Sequence, residues 1–172
     1  MDAAAAGVPT TPEFVISRLF KAPRQQVWDA WTRPELLAQW FGPKGVTTTV
    51  RRQELQPGGL LHARMDTPDG GQMWARFAYR EVVAPERLVW QHAFSDAAAN
   101  VVPSPFGGAW PLELLTIVSF EAAGGATRVT LRWTPIDATA EERNAFSDAV
   151  PSMRGGWGGS FEQLDAFLAG PA

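Results

Sequence analysis

The side chains of this sequence that move protons most readily near neutral pH are few: two histidines and one tyrosine, with no cysteine. His92 is the leading candidate, because an unperturbed imidazole titrates at about 6.5. It lies in "LVWQHAF", where alternation sets Trp90, His92 and Phe94 on one side of a strand. Tyr79 lies in "QMWARFAYREVV", on the same side as Ala75 and Phe77. A cross-strand meeting with His92 would join a phenol to an imidazole, a pairing suited to general acid–base work. No acid or nucleophile stands at a motif spacing from His92, however. An isolated inward histidine is more commonly a hydrogen-bonded residue of a core or its rim, so no catalytic residue is assigned.

In "LLHARMD" Leu61, Ala63 and Met65 share one face; His62 takes the outward parity and is expected at the surface, as are Arg76 and Arg80 on their strand. Two histidines without cysteine or an HExxH-type spacing argue against a metal site. The lack of cysteine also excludes disulfides and thiol catalysis, and it fits a reducing, cytoplasmic location. "GGWGG", Gly155 to Gly159, lacks the lysine and the preceding strand of a phosphate-binding loop. It does not match the dinucleotide fingerprint either, so no cofactor is expected.

Rings are the abundant chemistry. The chain holds eight tryptophans and ten phenylalanines. Tyr79, Trp90, His92, Trp133, Trp157 and Phe161 all take inward parity, and Phe77 and Phe120 share those faces. Trp110, just before Pro111, either closes a pocket or pins its loop. Together these nine residues are the expected lining of an apolar cavity with a phenol, an imidazole and indole N–H groups as polar handles. The alternative is that they fill a core completely.

Charge argues against two partner classes. Fifteen Lys and Arg against eighteen Asp and Glu give a net charge of −3, with the basic residues scattered, so nucleic acid is not an expected partner. No run approaches the roughly 18 apolar residues of a membrane-spanning helix. "MDAAAAGVPTTPE" has neither the basic region nor the apolar core of a signal peptide. Residues 1–12 are expected to be a flexible tail and 13–172 one domain.

The elements follow from period and punctuation. "EFVISRLF" alternates as a strand. Val27, Trp28 and Trp31 mark a short helix with Pro23 at its start, and Pro34 opens a second one carrying Leu37, Trp40 and Phe41. About six strands follow, joined mostly by hairpin-length turns, which implies an antiparallel sheet. Leu114, Thr116, Val118 and Phe120 should face Val129, Leu131 and Trp133 across a turn at Gly124-Gly125. Ser95 to Trp110 has no period and reads as a long loop, with Asp96 and Glu113 bracketing it as anchors. Thr139 and Glu142 form a capping box, and Pro151 should break the helical region that follows.

The last helix poses a puzzle. Trp157, Phe161, Leu164 and Leu168 make an apolar stripe, yet four glycines surround Trp157. Each costs a helix about 1 kcal/mol relative to alanine. The expectation is that they let the helix approach the sheet or leave room beside it, shaping one wall of a pocket. Leucine at Gly156 or Gly159 should then harm ligand capacity or folding.

Several strings, in order, resemble a known family: "VWDAWTRPELLAQWFGP", "LQPGG", "YREVVAPERLVW", "AWPLELLTIVSFE", "TRVTLRW" and "GGWGGSFEQLDAFLA". They are similar to the activator of heat-shock protein 90 ATPase homologue (AHSA-type) proteins of the START-like, or SRPBCC, superfamily. The resemblance implies an α+β helix-grip (Bet v 1-like) fold. In it a curved antiparallel sheet wraps a long C-terminal helix, with two short helices after the first strand and a hydrophobic pocket between helix and sheet. Superfamily relatives bind lipids, polyketides, hormones and antibiotics, and some are cyclases. Phe77 departs from the pattern, since similar proteins often have glycine there, so pocket size does not carry over.

The function expected first is binding of a small hydrophobic or aromatic molecule by a monomer or homodimer. A cyclase- or hydrolase-like enzyme using His92 and Tyr79 in the same pocket is the second reading. A chaperone partner is the third. It ranks last because the eukaryotic co-chaperone has an additional chaperone-binding domain for which these 172 residues leave no room.

Overall fold

A computed structural model describes residues 11–170; the expected tail lies outside the described residues over positions 1–10. The chain runs β1 (Phe14–Phe20), α1 (Arg24–Thr32), α2 (Pro34–Leu37), β2 (Thr47–Gln53), β3 (Leu60–Asp66), β4 (Gln72–Val83), β5 (Arg87–Ser95), β6 (Leu114–Ala123), β7 (Ala126–Pro135), α3 (Ala140–Asp148) and α4 (Val150–Ala169). All seven strands form one antiparallel sheet in the order β1-β7-β6-β5-β4-β3-β2. Bulges between Val50 and Arg52 and between Tyr79 and Glu81 interrupt the ladder and bend the sheet.

This order has a consequence for the core. β1 and β2 are consecutive in sequence but sit at opposite edges. Residues 21–46 must therefore cross the sheet, and they carry α1 and α2 over one face. α1 buries Val27, Trp28 and Trp31, while α4 buries Met153, Trp157, Phe161, Leu164 and Leu168 against the same face. The stripe read from the sequence of α4 is thus the buried one.

Trp31 is the hub of this core. Its ring stacks on Trp157 (centroids 6.3 Å apart, planes 12° apart) and meets Trp40 at 4.7 Å, Phe120 at 5.9 Å and Phe161 at 6.3 Å nearly edge-on. Burying such a ring removes roughly 150–250 Å² from water, worth about 4–6 kcal/mol. Its Nε1–H has no hydrogen-bond partner. An unsatisfied buried donor costs about 1–3 kcal/mol, so ring burial outweighs it.

Local signals held where they were strongest. Thr139 Oγ1 accepts from Glu142 N at 3.1 Å and Glu142 Oε1 accepts from Thr139 N at 3.0 Å, completing the capping box. Ala149 separates α3 from α4, and Pro151 sits in the first turn of α4, where its missing N–H costs nothing. The hairpin pairs Thr116 with Trp133, Val118 with Leu131 and Phe120 with Val129. Two boundaries differ. Pro23 is the residue that precedes α1 rather than part of it. α2 ends at Leu37, leaving Trp40 and Phe41 in the turn beyond. That turn is fixed by Trp40 Nε1 donating to Ala30 O at 2.9 Å, and Gly42 then takes φ +112°, a conformation open to glycine.

His62 corrects the surface reading of the outward parity. It is 5% exposed. Its ring stacks on Trp74 at 4.6 Å, and Nε2 lies 3.1 Å from Ser95 Oγ and 3.0 Å from Asp96 O. Arg76 Nη1, half-buried, donates to Ala99 O at 2.7 Å. The start of the long loop folds back over the outer face of the sheet and covers these side chains, which parity alone does not reveal. Arg80 is exposed. Among the described residues no helix is long and apolar enough to cross a membrane.

Replacing Trp31 with alanine should cost about 3–5 kcal/mol in urea unfolding, the usual range for a large ring removed from a core. A loss below about 1 kcal/mol would contradict its role as hub.

Candidate functional site

Between the sheet and the first half of α4 lies a cavity of about 760 Å³. Its walls come from the strand ends that α1 does not reach. Met65 of β3 and Met73 of β4 pair across the ladder at one side. His92 and Phe94 of β5, Leu114 of β6 and Trp133 of β7 form the sheet wall, while Ala149 and, from α4, Met153, Gly156, Trp157 and Ser160 face them. Residues 104–112 of the long loop close the end, with Phe106, 76% exposed, and Leu112, 51% exposed, at the rim.

Of the nine residues expected to line a pocket, His92, Trp110, Trp133 and Trp157 border this space. Phe77, Tyr79, Trp90, Phe120 and Phe161 do not; each is at most 3% exposed and packed in the core. The reason is α1. Trp28 meets Phe120 at 5.3 Å, and Trp31 meets Phe120, Trp90 and Phe161, so rings from the crossing helix fill that half of the gap. Phe77 stacks on Trp90 at 4.5 Å with planes 16° apart and meets Phe41 at 5.4 Å, acting as a partition between filled core and cavity. Met65, Met73 and the loop residues other than Trp110 are walls that the sequence does not single out. Alternation marked Met65 as inward, but no local signal ranks one inward position over another.

The loop is held at both ends. The Asp96 carboxylate accepts from Ala98 N and Asn100 N, both at 2.9 Å, and from Asn100 Nδ2 at 3.0 Å. The Asn100 side-chain bond leads the interactions that hold its pKa below the ordinary carboxylate range. Asp96 is thus a loop anchor. At the far end Trp110 packs on Phe146 of α3 at 5.8 Å.

The glycines of α4 divide around Trp157. Successive helical residues turn by about 100°, so Gly156 and Gly158 flank the ring in opposite directions. All four border an outer recess of about 450 Å³ beside Lys44 and Glu162, and Gly156 also borders the cavity. A Cβ at Gly155, Gly156 or Gly158 would meet nothing within 4 Å, and one at Gly159 would only touch Lys44 Cγ at 3.7 Å. The glycines therefore do not serve close backbone approach, and Gly156 alone of the four shapes the cavity wall.

His92 and Tyr79 share no hydrogen bond. Tyr79 Oη accepts from Gln53 Nε2 at 3.3 Å, and burial raises its pKa to about 12. His92 Nδ1 accepts from Trp90 Nε1 at 3.4 Å, and its ring lies 5.2 Å from Trp133. Burial lowers the His92 pKa from 6.5 to about 4, so the imidazole is neutral at pH 7. His92 is partly exposed and borders the cavity.

Below pH 6.5 the unfolded chain takes up a proton that folded His92 refuses, so stability falls as pH drops from about 6.5 toward about 4. His92→Gln should flatten this limb in urea unfolding at pH 7 and pH 5. An unchanged acid loss in the variant would contradict the buried neutral ring. On the opposite face of α4, Gly158→Ala should raise stability by about 0.5–1 kcal/mol, read as a higher Tm.

Solved structures share this arrangement of sheet and helices. Protein Ms6760 from Mycobacterium smegmatis matches with a TM-score of 0.76 and 26% identity, covering 94% of this chain and 93% of that one. A protein from Arthrobacter aurescens matches with a TM-score of 0.77 and 28% identity, covering 93% of this chain and 87% of that one. The AHSA1 protein from Silicibacter pomeroyi shares the fold at a TM-score of 0.70 and 18% identity, over 92% of this chain and 98% of that one. No curated protein matches the chain significantly. The family model described as "Activator of Hsp90 ATPase homolog 1-like protein" matches residues 21–169, from the crossing segment to the end of α4. The chain has the helix-grip fold and belongs to the Activator of Hsp90 ATPase homolog 1-like family.

Proposed function

We propose that this protein binds a small hydrophobic or aromatic molecule in the cavity between the sheet and the first half of α4. One observation carries the reading: a space of about 760 Å³ walled by rings and methionines and bordered by no Asp, Glu, Lys or Arg among the described residues. Small-molecule sites commonly occupy about 300–1,000 Å³ and combine apolar walls with a few polar groups. A loop with exposed Phe106 and Leu112 at the rim supports a route for an apolar guest to reach this space.

Native mass spectrometry of freshly purified protein should show a bound small molecule, or accept one after incubation. The neutral dye N-phenyl-1-naphthylamine should give saturable, blue-shifted emission at one site per chain. Gly156→Leu, which adds bulk on the cavity side of α4, should weaken the dye by at least about tenfold, while Gly155→Ala on the outer side should not. No saturable binding, or equal binding by both variants, would contradict the reading.

A further inference from the structure

The polar groups of the cavity are not equally free. Ser160 Oγ donates to Gly42 O at 2.8 Å, Ser104 Oγ accepts from Phe106 N at 3.2 Å, and Trp133 Nε1 donates to Thr116 Oγ1 at 2.7 Å. These atoms hold the structure together. His92 is different. Its Nδ1 accepts from the indole of Trp90, a group that can only donate. A neutral imidazole carries one proton, so that proton sits on Nε2. Among the described residues Nε2–H has no protein partner, and it is not one of the sealed, unsatisfied buried atoms.

Charge narrows the guest further. With no acidic or basic side chain on the walls, an anion or cation entering the cavity would lose its water without gaining a counter-ion. Aromatic surface borders the cavity on two walls, Trp133 on the sheet and Trp157 on α4, and suits an aromatic guest.

We infer that the cavity selects an uncharged, planar aromatic molecule bearing a carbonyl, and that His92 Nε2–H reads the carbonyl oxygen. The inference rests on the binding function proposed above and names the class of guest. His92 is then the residue that sets specificity, not a catalytic group.

Three matched naphthalenes separate the possibilities. The probes are 2-acetylnaphthalene, its near-isostere 2-isopropenylnaphthalene, which lacks the acceptor, and the anion 2-naphthoate. Equilibrium dialysis against the full chain at pH 7 should rank the ketone at least about tenfold above the isostere, with the anion weakest. His92→Phe should erase the ketone's advantage while still holding the hydrocarbon. His92→Gln, whose amide retains a donor, should restore part of it. Imidazole ¹⁵N spectra of the unmodified protein give a readout independent of any variant's folding: the ketone should shift the protonated Nε2 resonance and the isostere should not. Equal binding of ketone and isostere, or a ketone advantage that survives in His92→Phe, overturns this inference alone. Failure of all three compounds to bind overturns the binding function as well.

Discussion

The stacking of Trp31 on Trp157 joins the crossing helix α1 to the C-terminal helix α4 on one face of the sheet, and the remaining architecture depends on it. Trp31 arrives on the segment that must cross the sheet because β1 and β2 occupy opposite edges. Trp157 arrives on the last helix. Where these rings meet, with Phe120, Phe161 and Trp90 around them, the space between sheet and α4 is filled. Beyond them it stays open, because α1 is only nine residues long and the next ring of the crossing segment, Phe41, packs on Phe77 and Trp157 at the border instead of filling the space. One face of Trp157 therefore belongs to the core, while another part of its ring borders the cavity. The same side chain sets the limit of both.

That division explains how an apolar chamber and a stable core coexist in a sheet of this size. The filled half supplies the burial that holds α4 in place, reinforced by Gln163 Nε2 and Ser160 Oγ, which both donate to Gly42 O. The open half is closed by the loop between β5 and β6, pinned by the Asp96 turn on one side and by Trp110 on Phe146 on the other. His92 sits at the seam. Phe77 packs 5.1 Å from its ring on the core side, and its own hydrogen bond to Trp90 leaves a single donor for the cavity.

The sequence makes one part of this account readable and hides another. Alternation identifies the inward residues Leu61, Ala63 and Met65, and the hairpin register of Thr116, Val118 and Phe120. Helical spacing identifies the buried stripe of α4. These are local patterns with a fixed period, and local geometry decides them. What they do not contain is which inward ring meets a partner ring and which meets space. Tyr79 and Trp90 have the same parity as His92, yet the first two are packed in the filled core and the third borders the cavity. That difference is set by strand order and by where a crossing helix lands, both long-range facts. His62 shows the converse: its parity is outward, but a loop with no period folds over it.

The central claim is that the interlayer space is divided by Trp31 and that only the half beyond it admits a guest. Indole N–H chemical shifts, recorded as 2-acetylnaphthalene is added, test this directly because the tryptophans sample both halves. The expected result is that Trp110, Trp133 and Trp157 shift together with saturation, while Trp31 and Trp40 stay in place. Shifts of Trp31 and Trp40 as large as those of Trp157, or a titration that leaves Trp157 unmoved, would contradict the division.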